Sequence, residues 1–158
     1  MLPPKKWKTV KQPVGSRCCG IAVAAMVVGK GLRYAMNRMP DRRHRDGQRW
    51  ARTRDILSFL GSHGIVMGMW VEITSGELQP DQQLTFSVQM SDRPAILSVR
   101  SKIFPGYYHY LFWDGSYVRD PSPLVADELP LGAYNVLEVI PLIYLDERPQ
   151  ASKKEIMR

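Results

Sequence analysis

The sequence predicts an α+β domain in which helices come first and an antiparallel sheet follows. Helical apolar patterns end near residue 60, and beyond Gly64 the apolar residues fall into short β-rich runs. The Asp114-Gly115 pair between two of these runs is a strong signal for a hairpin turn. Helices and strands segregated in this way are typical of α+β proteins. At 158 residues, we expect a single domain over residues 1–145 and a polar tail over 146–158.

Three helices are predicted in the first part of the chain. Residues 19–28 are small or apolar on nearly every side, which is the pattern of a buried helix. A second helix is predicted over residues 32–39, and a charged loop over 41–47 follows it. The third helix, over residues 48–60, is amphipathic. Its apolar face is predicted to carry Trp50, Leu57 and Leu60, with Arg54 inside the same stripe and Ile56 and Phe59 beside it.

The second part of the chain is predicted to form strands. They cover residues 66–73, 84–90, 94–100, 107–113, 116–119 and 134–144. Pro141 is expected to break the last of them, because proline has no backbone N–H to give to a sheet. The runs 107–113 and 116–119 flank the Asp-Gly turn and are therefore predicted to pair with each other.

The net charge of +7, with a pI near 9.6, favours acidic partners. An acidic peptide or protein, nucleic acid and an anionic membrane surface all fit this charge. The arginines are concentrated at Arg38, Arg42, Arg43, Arg45, Arg49, Arg52 and Arg54, and they alternate with Asp41, Asp46 and Asp55. This pattern favours a solvated surface over nucleic-acid binding, since no known nucleic-acid-binding motif accompanies it.

No segment of the sequence has the length of a membrane span. The longest apolar run, residues 21–28, is far shorter than the roughly 20 residues that a transmembrane helix needs. The basic N-terminus is not followed by the apolar core of a signal peptide. We therefore expect a cytoplasmic protein, or one delivered without a conventional signal.

The two cysteines, Cys18 and Cys19, are adjacent and lie where the first helix is predicted to begin. Neighbouring cysteines form a disulfide only with strain, so free thiols and a reducing compartment are expected. The N-terminal end of a helix favours the thiolate, which is the reactive form of cysteine. Neither the cysteine spacing nor the histidines suggest a zinc site, and no metal or organic cofactor is implied.

A cysteine nucleophile requires a base, and the chain has three histidines to consider. His44 lies in the arginine-rich loop, and His63 lies in a turn after a helix, where it suits a helix C-terminus. His109 lies within a predicted strand among aromatic residues, which can hold its ring in place. A hairpin centred on Asp114-Gly115 pairs residues whose numbers sum to about 229, so Asp120 is predicted roughly opposite His109.

These elements together resemble a known family. The segment Cys19-Gly20-Ile21-Ala22-Val23-Ala24-Ala25-Met26 is similar to the nucleophile helix of the papain-like bacteriocin-processing peptidases, which remove double-glycine leaders. That motif typically reads Cys-Gly-Pro-Ala-x-x-Ala-Met, so Ile21 replaces a proline. The strand over 94–99, then His109, then Asp120-Pro121 follow in the family's order. The resemblance covers most of residues 12–121 and implies a papain-like fold, here in a stand-alone form.

The resemblance also implies residue roles. Cys19 would be the nucleophile, His109 the general base and acid, and Asp120 the carboxylate that orients the ring. Gln12 would help to stabilise the oxyanion. Gln12 lies six positions before Cys18 and seven before Cys19, and the family spacing is usually six, so Cys18 is an alternative nucleophile. Cys19 is preferred, because it carries the Cys-Gly match in register with the helix.

The predicted function is therefore hydrolysis of a peptide (amide) bond by a Cys-His-Asp triad, with a peptide or protein as substrate. The same three residue types also catalyse deamidation, transglutamination and acyl transfer. A further alternative is a catalytically degenerate relative whose basic surface binds an acidic protein or nucleic acid. The sequence does not identify the substrate.

Overall fold

In the computed structural model of the protein, which describes residues 2–72 and 90–145, helices pack on one face of an antiparallel sheet. The helices are α1 (Cys19–Val28), α2 (Leu32–Arg38) and α3 (Thr53–Ser62), with a 3₁₀ turn at Leu131–Ala133. The strands are β1 (Arg42–Arg43), β2 (Arg49–Trp50), β3 (Ile65–Met67), β4 (Val71–Glu72), β5 (Ala95–Arg100), β6 (Tyr108–Trp113), β7 (Val118–Arg119) and β8 (Glu138–Tyr144). The α+β prediction is confirmed.

The main sheet has the strand order β3-β8-β5-β6-β7, and β4 also pairs with β8. All of its pairings are antiparallel, and β5 lies in register with β6 from Ala95↔Trp113 to Arg100↔Tyr108. The short strands β1 and β2 form a separate hairpin. This order places β6, which carries His109, between β5 and the edge strand β7.

Helix α1 is the central element of the core. Every residue after Cys19 is buried, which is why its composition is apolar on all sides. Gly20 allows the close contact at its start: a Cβ there would lie 2.8 Å from Ile56 of α3 and 3.1 Å from the Tyr110 ring of β6. Gly29 ends the helix in the left-handed conformation, and Lys30 N–H donates to the Ala25 carbonyl, as in a Schellman motif.

The two faces of the sheet bury separate apolar clusters. On one face, Ile96, Phe112 and Ile140 pack with α1 and α3. On the other face, Leu97, Leu111 and Val139 pack with Leu131 and Val136, which lie on and just after the 3₁₀ turn. The central parts of β5 and β6 are therefore covered on both faces.

The predicted helix over residues 48–60 was wrong at its start. Arg49 and Trp50 belong to strand β2, and α3 begins only at Thr53. The Asp55 carboxylate accepts from Arg52 N–H at 3.1 Å, as N3 residues do in a capping box, and this fixes the later start. The buried face of the helix consists of Asp55, Ile56, Phe59 and Leu60, whereas Arg54 is exposed.

The predicted charged loop over 41–47 also needs correction, because Arg42 and Arg43 form strand β1. The guanidinium of Arg42 pairs with Asp55 at 2.6 Å, and this ion pair links the hairpin to α3. Both residues were noted in the sequence, but their contact was not predicted because they lie 13 positions apart.

Two predicted strands were wrong in their continuity. The run 66–73 divides into β3 and β4, and Gly68 N–H donates at 2.7 Å to the carbonyl of Pro141. Pro141 itself lies inside a continuous β8 and does not break it, while Tyr134 lies outside that strand. Proline has no N–H to donate to a neighbouring strand. The segment between β3 and β4 therefore leaves its pairing with β8 beside Pro141.

Other predictions fall on residues that the structure does not describe. The strand over 84–90 lies outside the described residues except for Met90, which is in a turn. The polar tail over 146–158 also lies outside them. Within the described part, no single helix has the length and apolar composition of a membrane span; α1 and α2 would qualify only as a pair, and they meet at a bend of 106°.

Candidate active site

Cys19 is the first residue of α1, and its half-buried side chain lines a cleft. Cys18, at the N-cap, accepts the first bond of the helix through its carbonyl, from Ala22 N–H at 2.9 Å. The N–H groups of a first helical turn have no intrahelical partner and point towards positions beyond the helix end. The Cys19 side chain is therefore placed at the positive end of the α1 dipole.

Cys18 is in a different environment from its neighbour. It is 3% exposed, packs in the apolar core, and its sulfur lies 3.3 Å from Ser16 Oγ. Burial is the main reason why the pKa of this thiol is raised, although the Ser16 contact opposes the shift. The structure therefore brings Cys18 to Ser16, away from the cleft, and leaves Cys19 as the thiol that lines it.

His109 lies on β6 beside the start of α1. Its Nε2 is 2.7 Å from the Asp120 Oδ1 oxygen, and His109 lines the same cleft as Cys19. Burial by itself would lower the pKa of His109, but the hydrogen bonds and charges of Asp120 and Cys19 outweigh it and raise the pKa to about 9. The imidazolium form is thus favoured at neutral pH.

Asp120 is 4% exposed and sits at the end of β7. Its Oδ1 accepts from Ser122 N–H at 2.8 Å as well as from His109, and its Oδ2 accepts from the Tyr134 hydroxyl at 2.7 Å. Burial would raise the pKa of this carboxyl, but the contacts to His109, then those to Ser122 and Tyr134, lower it below its usual range. A carboxylate is therefore maintained in a buried position.

Tyr134 was missed by sequence reasoning. It follows the 3₁₀ turn at Leu131–Ala133 and packs against the second apolar cluster. Burial, and then its hydrogen bond to Asp120, raise the pKa of the Tyr134 hydroxyl, so that it remains a donor. No local pattern pointed to this residue, because it reaches Asp120 only through the packing of the 3₁₀ turn on the sheet.

The hairpin register differs from the predicted one. Trp113 pairs with Val118 and Phe112 with Arg119, so paired residue numbers sum to 231 instead of 229. The cause is a wider turn, in which Asp114 Oδ1 accepts from the N–H groups of Ser116 and Tyr117 at 2.8 Å each. His109 and Asp120 therefore meet diagonally across the strand pair, a relationship that long side chains can span.

Gln12 lies at the cleft, but its amide is engaged differently from the expected oxyanion contact. Nε2 donates to the Ser16 carbonyl at 2.8 Å and lies 3.3 Å from Ser16 Oγ, while Oε1 is buried without a partner among the described residues. Its backbone N–H donates to the Pro121 carbonyl at 2.8 Å. Gln12 is thereby held directly beside the Asp120-Pro121 segment.

The cleft around Cys19 has a volume of about 530 Å³. Its walls are largely aromatic and apolar, with Trp50, Phe104, Tyr107, Tyr110 and Leu124 among them. None of the described residues that line it is Asp or Glu, whereas Arg17 and Arg52 are among them.

The other two histidines do not reach Cys19. His63 lies 2.9 Å from the Phe59 carbonyl through Nδ1 and 2.9 Å from the Tyr34 hydroxyl through Nε2, at the end of α3 as expected. His44 was expected to be unsupported, but it stacks on Trp50 with ring centroids 4.8 Å apart and lines the cleft. It therefore belongs to the wall of the site. Among residues 2–72 and 90–145, no group of His, Cys, Asp or Glu could hold a metal ion.

An N-terminal helix that presents a cysteine to a histidine on an antiparallel sheet is the arrangement of papain-like domains, and the fold is papain-like as predicted. A solved structure with the same fold is the crystal structure of a double-glycine-motif protease from an AMS/PCAT transporter in complex with the leader peptide. It superposes with a TM-score of 0.51 at 15% identity, over 90% of this chain and 96% of that one. No protein-family model matches the sequence, and no curated protein is similar to it.

Proposed function

We propose that this protein is a cysteine peptidase that hydrolyses a peptide bond with Cys19, His109 and Asp120. The observation that supports this most directly is that Cys19 and His109 line the same cleft, with the His109 ring held at 2.7 Å by Asp120. The papain-like fold adds to it, since it is shared with a protease that binds a peptide. We also propose that the chain is a distant relative of the bacteriocin-processing peptidases.

The proposed reaction begins with attack of the Cys19 sulfur on the peptide carbonyl carbon. Because Nε2 of His109 is held by Asp120, Nδ1 is the ring nitrogen that holds the proton given up by the thiol, in keeping with the imidazolium favoured at neutral pH. His109 then gives this proton to the leaving amine as the C–N bond breaks and a thioester forms. Water attacks the thioester with His109 as base, which releases the acid and restores the thiol.

The negative oxygen of the tetrahedral intermediate would be stabilised by N–H groups at the start of α1. Gln12 would add a second donor. Its Nε2 carries two hydrogens: the Ser16 carbonyl at 2.8 Å holds one, and the second makes only the 3.3 Å contact to Ser16 Oγ. We assign that second hydrogen to the oxyanion.

Alkylation of Cys19 tests the proposal without knowledge of the substrate. With iodoacetamide near neutral pH, we expect Cys19 to react much faster than free cysteine, and His109→Ala to slow the reaction at least about tenfold. Cys18→Ala is the matched control and should leave the rate unchanged, because Cys18 is buried. A peptide library digested by the unaltered chain and by Cys19→Ala then shows whether hydrolysis depends on this thiol.

Each of the following results would refute the proposal. If neither thiol reacts faster than free cysteine, or if His109→Ala leaves the labelling rate unchanged, Cys19 is not activated by His109. If Cys19 is activated but peptides are not cut, another reaction takes place. Passage of their acyl groups to an acceptor indicates acyl transfer, and loss of ammonia from their side chains indicates deamidation. If binding to acidic polymers persists in Cys19→Ala without any turnover, the protein is a binding module.

A further inference from the structure

Lys11 occupies the centre of the loop that follows Asp120. Its ammonium nitrogen donates to the backbone carbonyl oxygens of Asp120 at 3.0 Å, Ser122 at 3.0 Å, Val125 at 2.8 Å and Ala126 at 3.3 Å. The Asp127 carboxylate lies 3.7 Å away, and the Lys11 side chain is only 27% exposed. The chain from Asp120 to Ala126 therefore wraps around a single positive charge.

Convergence of these carbonyl groups requires a cation. Each carbonyl directs the negative end of its dipole at the same point, and without a positive charge these groups would repel one another. An ammonium group suits this site because it is compact and donates three hydrogens in different directions. The planar guanidinium of arginine would not place its donors in this arrangement. The path of the loop therefore depends on Lys11.

This loop is connected to the candidate site at two places. Ser122 N–H donates at 2.8 Å to the same Asp120 oxygen that meets His109. Ser122, Pro123 and Leu124 form part of the cleft wall. In addition, Gln12, the next residue after Lys11, donates its N–H to the Pro121 carbonyl at 2.8 Å. A change at Lys11 should therefore affect both the Asp120 carboxylate and the part of the cleft wall formed by Ser122, Pro123 and Leu124.

We propose that Lys11 is a positioning residue that holds the Asp120 carboxylate against His109 and keeps the Ser122–Leu124 wall of the cleft in place. The inference rests on the proposed function, because it assigns Lys11 a part in the same site. Lys11 acts through the loop and contacts neither the reacting thiol nor the ring. This role differs from general stabilisation of the fold, because Lys11 determines the position of the Asp120 carboxylate.

NMR titration of the His109 ring in the full chain tests the inference without any substrate. In Lys11→Met, the midpoint should fall from about 9 towards the ordinary histidine value by at least about one unit, because the displaced carboxylate no longer favours the imidazolium. Lys8→Met removes an equal charge from an exposed position on the same segment and should leave the midpoint unchanged. Lys11→Gln, a milder change, should also lower the midpoint.

A folded Lys11→Met or Lys11→Gln protein with an unchanged His109 midpoint would overturn the inference. Failure of both variants to fold would also overturn it, because the role of Lys11 would then be global stability. The outcomes for the two proposals are separable. If the midpoint falls in Lys11→Met while the unaltered protein shows no accelerated Cys19 alkylation, Lys11 positions Asp120 but the proposed peptidase activity is refuted.

Discussion

The Nε2 atom of His109 lies 2.7 Å from Oδ1 of Asp120, although the two residues are not paired in the β6–β7 hairpin. The contact is diagonal, and Ser122 and Tyr134 also donate hydrogen bonds to the Asp120 carboxylate. Both partners are largely buried, so their charges act in a medium where a hydrogen bond is stronger than in water. Each of the following predictions tests a contact of this site or of the helix that presents Cys19.

The stability of the protein should depend on pH through His109. Its folded-state pKa of about 9 lies above the ordinary value, so the stabilisation is complete below about pH 6.5 and is lost as the pH rises through 9. The free energy of unfolding should fall by up to about 3 kcal/mol over this window because of this group. Urea denaturation at several pH values measures it, and His109→Gln should remove this part of the slope. An equal slope in His109→Gln and in His63→Gln, the control, would contradict the prediction.

Tyr134→Phe should make the Asp120 carboxylate easier to protonate. Loss of the hydroxyl donor leaves Oδ2 without its 2.7 Å contact, so the pKa of Asp120 should rise from its lowered position. The stabilisation by ionised Asp120 is lost as the pH falls through its folded-state pKa, and this loss should therefore occur at a higher pH in the variant. Acid unfolding followed by circular dichroism detects the change. Tyr117→Phe is the exposed control, and an identical acid midpoint in Tyr134→Phe and Tyr117→Phe would refute the role of Tyr134.

Gln12→Ala should reduce kcat for peptide hydrolysis by about 10²–10³-fold, the usual cost of losing one oxyanion donor. The rate of Cys19 alkylation should change little, because alkylation forms no oxyanion. The comparison of these two rates separates loss of the oxyanion contact from damage to the thiol. Gln48→Ala changes an exposed glutamine of the β1–β2 hairpin and serves as control. Equal losses of hydrolysis and alkylation in Gln12→Ala would show that Gln12 instead supports the thiol.

Gly20→Ala should destabilise the protein by about 1–3 kcal/mol, because the new methyl group would lie 2.8 Å from Ile56 and 3.1 Å from the Tyr110 ring. Gly61→Ala is the matched control within α3, where no atom lies within 4 Å of the added Cβ. It should stabilise the protein by up to about 1 kcal/mol, since alanine favours helix more than glycine does. Chemical denaturation of both variants measures the difference. A Gly20→Ala protein as stable as Gly61→Ala would show that α1 can shift away from α3 without cost.

The local patterns of the sequence were sufficient for several elements. The continuous apolar run predicted α1 with its bounds, because a helix buried on every side needs no polar face. The strands around Ile96 and Leu111 followed from their β-rich composition. The Cys19, His109 and Asp120 positions were chosen from helix register, the strand setting and the turn, and the structure brings all three together.

The remaining features were decided by contacts between distant positions. The start of α3 follows from the Asp55 carboxylate and its ion pair with Arg42, and the continuity of β8 through Pro141 follows from its neighbours in the sheet. The sequence around a residue does not specify which distant residue will form its hydrogen bond, ion pair or strand pairing.

The sequence by itself determined that one thiol stands at the start of a buried helix and that a histidine and an aspartate follow on strands. The sequence favoured Cys19 by its register with the helix, but only the tertiary structure packs Cys18 in the core and places Cys19 on the cleft. Only the tertiary structure supplied Tyr134 and Lys11, which meet the Asp120 segment from 14 and 109 positions away. The physical reason is that buried polar groups need partners, and the folded chain supplies them by proximity in space.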